Sequence, residues 1–195
     1  TASGLSPIPT CDDDSDGIMT FDLEQQTTLV LGSQIPSDFL VTYHESQADA
    51  DTNSYPLTSP YSNTTTNQQT IFVRVEEIGL EACYETTQFD IIVNPLPTTT
   101  TMTALPVCES DGDGIGVFEL TSKDSEALVG QTGVTVSYHE TQSDADTNAS
   151  PLSSPHTNTT AYSQIVFILL ETNTTGCFST IPLELSVNPI PIVNP

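Results

Sequence analysis

Read as hydrophobic and polar positions, the chain falls into short apolar stretches divided by polar turns, and the stretches form two matching sets. Phe39, Val41 and Tyr43 alternate with Leu40, Thr42 and His44, as Val134, Val136 and Tyr138 alternate with Thr135, Ser137 and His139. A period of two predicts a strand with one buried face. On that alternation the tyrosines point inward, and His44 and His139 are expected to face solvent or a neighbouring carboxylate. Residues 71–75 and 165–170 are short apolar runs, as expected of central strands in a sandwich. Phe89, Ile91 and Val93, and their counterparts Leu183, Leu185 and Val187, predict a closing strand. Residues 121–128 read as one or two helical turns with Thr121 or Ser122 as N-cap, whereas residues 25–30 of the first set are rich in β-formers.

The matching sets are copies of one unit. Cys11-Asp-Asp-Asp-Ser-Asp-Gly17 with Phe21-x-Leu23 returns as Cys108-Glu-Ser-Asp-Gly-Asp-Gly114 with Phe118-x-Leu120. Tyr43-His44-Glu45-Ser-Gln-Ala-Asp49-Ala-Asp51 returns as Tyr138-His139-Glu140-Thr-Gln-Ser-Asp144-Ala-Asp146. Two residues are missing from the second copy, opposite the region between Gly32 and Phe39. Asn63-Thr-Thr65 matches Asn158-Thr-Thr160, and Val93-Asn-Pro-Leu-Pro97 matches Val187-Asn-Pro-Ile-Pro191. A unit of roughly 95 residues exceeds a solenoid repeat and suits a sandwich domain. The expected organisation is a first repeat over 1–97, a second over 98–191, and a third copy or linker beginning at 192–195. Pro- and Thr-rich joints favour stiff, extended backbone.

Composition narrows the functional classes. Of 195 residues, 26 are Asp or Glu and two, Arg74 and Lys123, are Lys or Arg, a formal charge of -24. That excludes nucleic acid, whose phosphates are met by clustered cations, and it disfavours anionic lipid surfaces. No stretch approaches the roughly 18 apolar residues of a spanning helix, so no membrane insertion is expected. Thr1 opens no signal peptide, and the segment is expected to derive from a longer precursor. With 31 Thr, 14 Pro and no Trp, the chain favours strands and turns over helix and lacks the most common sugar-stacking ring.

Each copy holds one early and one late cysteine, Cys11 with Cys83 and Cys108 with Cys177. Because the repeat preserves the pair, an intradomain bridge in each copy is expected, closing a loop worth roughly 4 kcal/mol. Disulfides place the chain in an oxidising, extracellular setting, at the cell surface or secreted. No spacing of cysteines and histidines fits a metal thiolate or a catalytic cysteine.

The turns Asp12-x-Asp14-x-Asp16-Gly17 and Glu109-x-Asp111-x-Asp113-Gly114 carry the one-three-five carboxylates and position-six glycine of a calcium loop. Carboxylates two apart in a tight turn converge, and a hard cation relieves their repulsion. Position twelve, a bidentate Glu in an EF-hand, is here Leu23 or Leu120, so Asp22 and Glu119 are the candidate replacements. Calcium is the expected ion, against a solvated acidic turn. A second set, Glu45, Asp49 and Asp51 with Glu140, Asp144 and Asp146, is a possible additional metal site or a loop of turns and caps. Asn63, Asn148, Asn158 and Asn173 head glycosylation triplets, which a Thr-rich chain produces by chance. No nucleophile elbow, P-loop or H-E-x-x-H helix is present, and catalysis is not expected.

The blocks C-[DE]-x-D-x-D-G-x-x-x-F-[DE]-L, Y-H-E-[ST]-Q-x-D-A-D and the closing V-N-P-[LI]-P resemble the tandem repeats of very large surface proteins of gliding bacteria. Those proteins leave the cell through the type IX secretion system and often end in a gliding-motility-associated sorting domain. The resemblance covers nearly the whole chain. It implies Ig-like β-sandwich repeats in an adhesin-type stalk. The expectation is therefore an all-β chain of two tandem Ig-like sandwiches, each with one intradomain disulfide and calcium. They would be structural repeats of an adhesin-like filament whose partners are neighbouring repeats, other copies and surface polysaccharide. Its alternatives are a glycan- or surface-binding module and a self-assembling fibre subunit.

Overall fold

The computed structural model describes residues 5–191. The expected third-copy start at 192–195 lies outside the described residues. The chain divides into two compact units, Thr1–Pro95 and Leu96–Pro195, each β-sandwich-like, and each is described by itself.

The first unit runs β1 (Ile8–Cys11), β2 (Thr20–Phe21), α1 (Thr27–Leu31), β3 (Phe39–His44), α2 (Gln47–Thr52), β4 (Tyr61–Ser62), β5 (Gln68–Glu77) and β6 (Leu80–Asn94). A four-stranded sheet has the order β1-β6-β5-β3, and β2 pairs with β4 in a small second sheet. β1 lies parallel to β6 with Ile8 opposite Ile91 and Cys11 opposite Asn94, while β5 is antiparallel to β6 and to β3. Between the layers sit Phe21, Leu23, Tyr43, Ile71, Val73, Phe89, Ile91 and Val93. The alternating and closing strands expected from the sequence thus supply one continuous core, and the apolar run at 71–75 belongs to the central strand β5.

The second unit repeats the plan with β7 (Leu105–Glu109), β8 (Val117–Phe118), α3 (Asp124–Leu128), β9 (Val134–His139), α4 (Gln142–Asp146), β10 (His156–Thr157), β11 (Ser163–Thr172) and β12 (Phe178–Pro189). The large sheet is β7-β12-β11-β9 and the small one β10-β8. Phe118, Leu120, Tyr138, Ile168, Leu183 and Leu185 are among its buried core residues.

Helix boundaries differ from the expectation. In the second unit a 3-10 turn over Leu120–Lys123 leads into α3, and the residue before it, Glu119, makes no side-chain cap. Ser122 instead donates to the Glu119 carbonyl. The β-rich segment of the first copy is also helical, a 3-10 turn over Leu23–Gln26 followed by α1, because Asp22 caps it through the Glu24 N–H and buried Leu23 anchors it. Burial of one anchor outweighs local propensity over so few residues.

His44 and His139 do not face solvent; both are fully buried. The outer face of β3 is covered by α2, so the position opposite Tyr43 is interior too. His44 Nδ1 meets the Ser54 carbonyl at 2.8 Å and Nε2 meets Thr42 Oγ1 at 2.9 Å. His139 repeats both contacts with the Ala149 carbonyl and Ser137 Oγ. Gln47 reaches from α2 to Thr86, and Gln142 from α4 to Thr180. Ala50 and Ala145 fill the contact beneath.

Both cations of the chain are structural. Arg74, almost fully buried, pairs with Glu76 at 2.7 Å, donates to the Ala50, Asp51 and Glu81 carbonyls, and lies 3.6 Å over the Tyr84 ring. Leu169 holds its place in the second copy. Lys123 pairs with Glu126 at 2.8 Å and donates to Thr103 Oγ1, and Glu126 also receives the Thr103 N–H. Among the described residues, no helix is long and apolar enough to cross a membrane.

The Lys123 ammonium and then the Thr103 donors hold the Glu126 carboxyl down to about 2, against an ordinary value of 4.5. The unfolded chain therefore takes up this proton first, so the contribution to stability is complete above about pH 4.5 and is lost as pH falls to about 2. Urea midpoints followed from pH 5 to pH 2 should fall less steeply in Glu126→Gln than in the parent chain; equal slopes would remove Glu126 from the acid response.

Candidate functional site

Two features repeat in both units and lie together at the end of the first strand of each: an acidic turn and the early cysteine. β1 ends at Cys11, and the chain reverses through residues 12–17. Buried Asp12 holds that reversal. Its Oδ1 accepts from the Asp14 and Ser15 N–H groups and its Oδ2 from that of Gly17 at 2.9 Å. Asp14 and Asp16 each accept from the backbone two residues on. Glu109 plays the part of Asp12 in the second copy, with Oε2 accepting from Asp111 and Gly112, and Asp113 accepts from Ile115.

The position-six glycines are required twice over. Gly17 and Gly114 have φ of 75° and 76°, and a Cβ there would lie 2.7 Å from Asn67 Oδ1 or 2.8 Å from the Tyr162 nitrogen. Asn63, missed as a site residue, locks the turn from across the unit. It donates to the Gly17 and Thr65 carbonyls and accepts from the Met19 N–H. Asn158 does the same with Gly114, Thr160 and Gly116. Both amides are buried, so the triplets at 63 and 158 are structural latches. Their recurrence with the glycines in both copies is the sequence signal for them.

The three carboxylates of each turn come together: ligand oxygens of Asp12, Asp14 and Asp16, and of Glu109, Asp111 and Asp113, lie within 4.8 Å of one another. Burial pushes Asp12 up, but four backbone donors led by Gly17 outweigh it and hold the carboxyl below its ordinary value. Asp14 is lowered by the Asp16 N–H, yet desolvation and the charges of Asp16 and Asp13 prevail and leave it raised. The bond to Glu109 and then the Asp113 N–H hold Asp111 down. Glu109 is itself buried, and its Oε1 has no hydrogen-bond partner. Such a group gains from a cation that supplies the missing partner.

The other acidic candidates are engaged elsewhere. Asp22 accepts from Glu24 and from Ser59 Oγ, and Glu119 accepts from Ser154 Oγ. Asp49 and Asp144 sit three residues after the N-caps Ser46 and Thr141, forming reciprocal caps on α2 and α4. Asp51 and Asp146 each accept from the preceding Gln47 and Gln142. Glu45 receives the Tyr61 hydroxyl and Glu140 that of Thr159.

The cysteine pairing departs from the expectation. Cys11 and Cys177 are disulfide-bonded, whereas Cys83 and Cys108 are exposed free thiols, so neither intradomain bridge, Cys11 to Cys83 or Cys108 to Cys177, forms. Geometry forbids both. Cys11 stands opposite Asn94, eleven residues beyond Cys83 on the same strand β6. Cys108 stands opposite Asn188, eleven residues beyond Cys177, which immediately precedes β12. Eleven strand residues span roughly 35 Å, against a Cα separation of about 4.4–6.8 Å across a disulfide. The early and late cysteines of a copy thus lie at opposite ends of one sheet.

Two matches to one family cover most of the chain: the Flavobacterium inter-domain disulphide bond domain, over residues 7–97 and 104–191. No curated protein sequence matches. Solved structures with weak overall similarity include human mucin-like protocadherin EC1-2, 10% identical, covering 94% of this chain and 96% of that one, with a TM-score of 0.28. Human protocadherin-24 EC1-2 is 16% identical over 98% and 97% with a TM-score of 0.25. Drosophila N-cadherin EC1-4 is 9% identical over 94% of this chain and 48% of that one, with a TM-score of 0.26. At these scores the likenesses carry no argument about function.

Proposed function

The chain belongs to the Flavobacterium inter-domain disulphide bond domain family, and from that premise we propose that its two units are structural repeats of an adhesin-like bacterial surface protein exported by the type IX system. One observation carries the reading. The motifs that recur between the copies are spent on the fold itself, the tyrosine and histidine on either face of a strand and the serine or threonine on a helix cap, while the cysteines sit at the two ends of each unit's sheet. Such a unit is suited to bear load and to extend an array; no catalytic role is assigned. Antibodies raised against residues 1–195 should label the surface of intact cells of the source bacterium, and labelling should disappear when the type IX apparatus is deleted. Label confined to the cell interior of the parent strain would overturn the assignment.

Within this reading each acidic turn takes calcium, with Asp12, Asp14 and Asp16 in the first unit and Glu109, Asp111 and Asp113 in the second. The buried, unpartnered Oε1 of Glu109 supports it, as does the preference of clustered hard oxygens for a hard cation. A cation bound only by the native fold stabilises it by RT ln(1 + [L]/Kd), about 2.7 kcal/mol at a hundredfold excess over Kd. Calorimetry of the oxidised chain should show a melting temperature that rises with calcium more than with magnesium, and Asp14→Asn and Asp111→Asn should each remove part of the rise. A flat calcium response would reduce both turns to solvated charge.

A further inference from the structure

Of the three carboxylate positions in the acidic turns, the first alone differs between the copies. Asp14 matches Asp111 and Asp16 matches Asp113, whereas Asp12 is matched by Glu109. The third position behaves alike in both, with Asp16 accepting the Ile18 N–H at 2.6 Å and Asp113 the Ile115 N–H at 2.7 Å. The first position does not. Asp12 holds its turn with both oxygens, Oδ1 accepting from Asp14 and Ser15 and Oδ2 from Gly17. Glu109, one methylene longer, holds its turn with one oxygen. Its Oε2 accepts from Asp111 at 3.1 Å and from Gly112 at 2.6 Å, and its Oε1 is buried without a partner. Glu109 as a whole is 8% exposed.

A carboxylate oxygen withdrawn from water and given no donor carries the full cost of its lost hydration, and a cation that meets it removes that cost. At Asp12 a cation instead competes with N–H donors on both oxygens. The surroundings add to the difference. An open pocket of about 400 Å³ borders Glu109, walled by Ser110, Asp111, Gly112, Pro189 and Ile190. Tyr162 stands where the first unit has Asn67, and the main-chain N–H of each bonds the turn glycine, Gly114 or Gly17. The Tyr162 hydroxyl also donates to the Gly112 carbonyl at 2.9 Å. The second turn is thus pinned at two points by one residue, and calcium affinity follows the rigidity of the site as well as its charge.

We propose that the two acidic turns are unequal calcium sites and that the second fills first, with Glu109 as the ligand that sets the difference. The inference rests on the reading of the turns as calcium sites and gives their order. In an array of such repeats, the residue after the early cysteine then decides which units are loaded when calcium is limiting, glutamate units before aspartate units.

The test uses the folded, oxidised 195-residue chain. Calcium titration followed by heat should show two steps whose dissociation constants differ by about tenfold or more. Asp111→Asn should remove the tight step and Asp14→Asn the weak one. Glu109→Asp should weaken the tight step several-fold, and Asp12→Glu should tighten the weak one, the melting temperature without calcium confirming that each variant folds. Terbium, a calcium mimic whose emission is excited through a nearby tyrosine ring, provides a second readout. Its emission should rise during the first step, and Tyr162→Phe should remove most of that rise while both calcium steps remain. Two equal steps in the parent chain, loss of the tight step in Asp14→Asn, or affinities unchanged by both glutamate–aspartate exchanges would overturn the order and leave the calcium reading in place. An absence of calcium binding at either turn would overturn both, and surface labelling of cells is independent of all these outcomes.

Discussion

The length of one β-strand governs how this chain is held together. In each unit the last strand in chain order, β6 or β12, carries the late cysteine near or just before its start and, eleven residues on, the partner of the early cysteine. Backbone hydrogen bonds along the whole strand fix that separation, so no side-chain motion can bring the two sulfurs together. The unit must therefore be stable through its own core and hydrogen bonds, without a bridge of its own. The two-layer core, the histidine and glutamine ties to the outer helix, and the asparagine latch under the acidic turn supply that stability.

Much of the fold was legible because it follows from periodicities that any strand must obey. The alternation at 39–43 and 134–138 and the closing strands at 89–93 and 183–187 lie where the side chains indicate. What misled was the assumption that a strand has one buried face. Tyr43 and Tyr138 bond Thr27 and Asp124 on the inner side, while His44 and His139 are buried under a helix on the other. Two-state alternation cannot show a third layer. The helix itself was written beside the histidine, in Ser46 or Thr141 as cap, Gln47 or Gln142 as tie and Ala50 or Ala145 as filler. Its acidic residues read equally as ligands or as caps while it was taken for a loop, and Asp49 and Asp144 take part in the caps.

The cysteine pairing was not legible for a related reason. A repeat that preserves two cysteines is equally consistent with bonds inside a copy and bonds that leave it, and only strand register separates them. The acidic turns were legible as clusters, since Asp12, Asp14, Asp16 and their counterparts do converge. The supports were not, because Asn63 and Asn158 are about 45 residues away along the chain. The copies also show which details are free to vary. Glu109 replaces Asp12, glycine replaces Ser15 at the same positive φ, and Leu169 replaces the buried Arg74 with its ion pair. An apolar residue in place of such a pair is compatible with the fold, as expected when desolvation offsets most of the attraction.

The central claim is that the cysteines of one repeat cannot bond each other. Peptide mapping of the oxidised chain, alkylated before digestion without reduction, tests it most directly. The account predicts alkylated Cys83 and Cys108 in the chain monomer, with Cys11 and Cys177 found only in disulfide-linked peptides. A peptide joining Cys11 to Cys83, or Cys108 to Cys177, would contradict it.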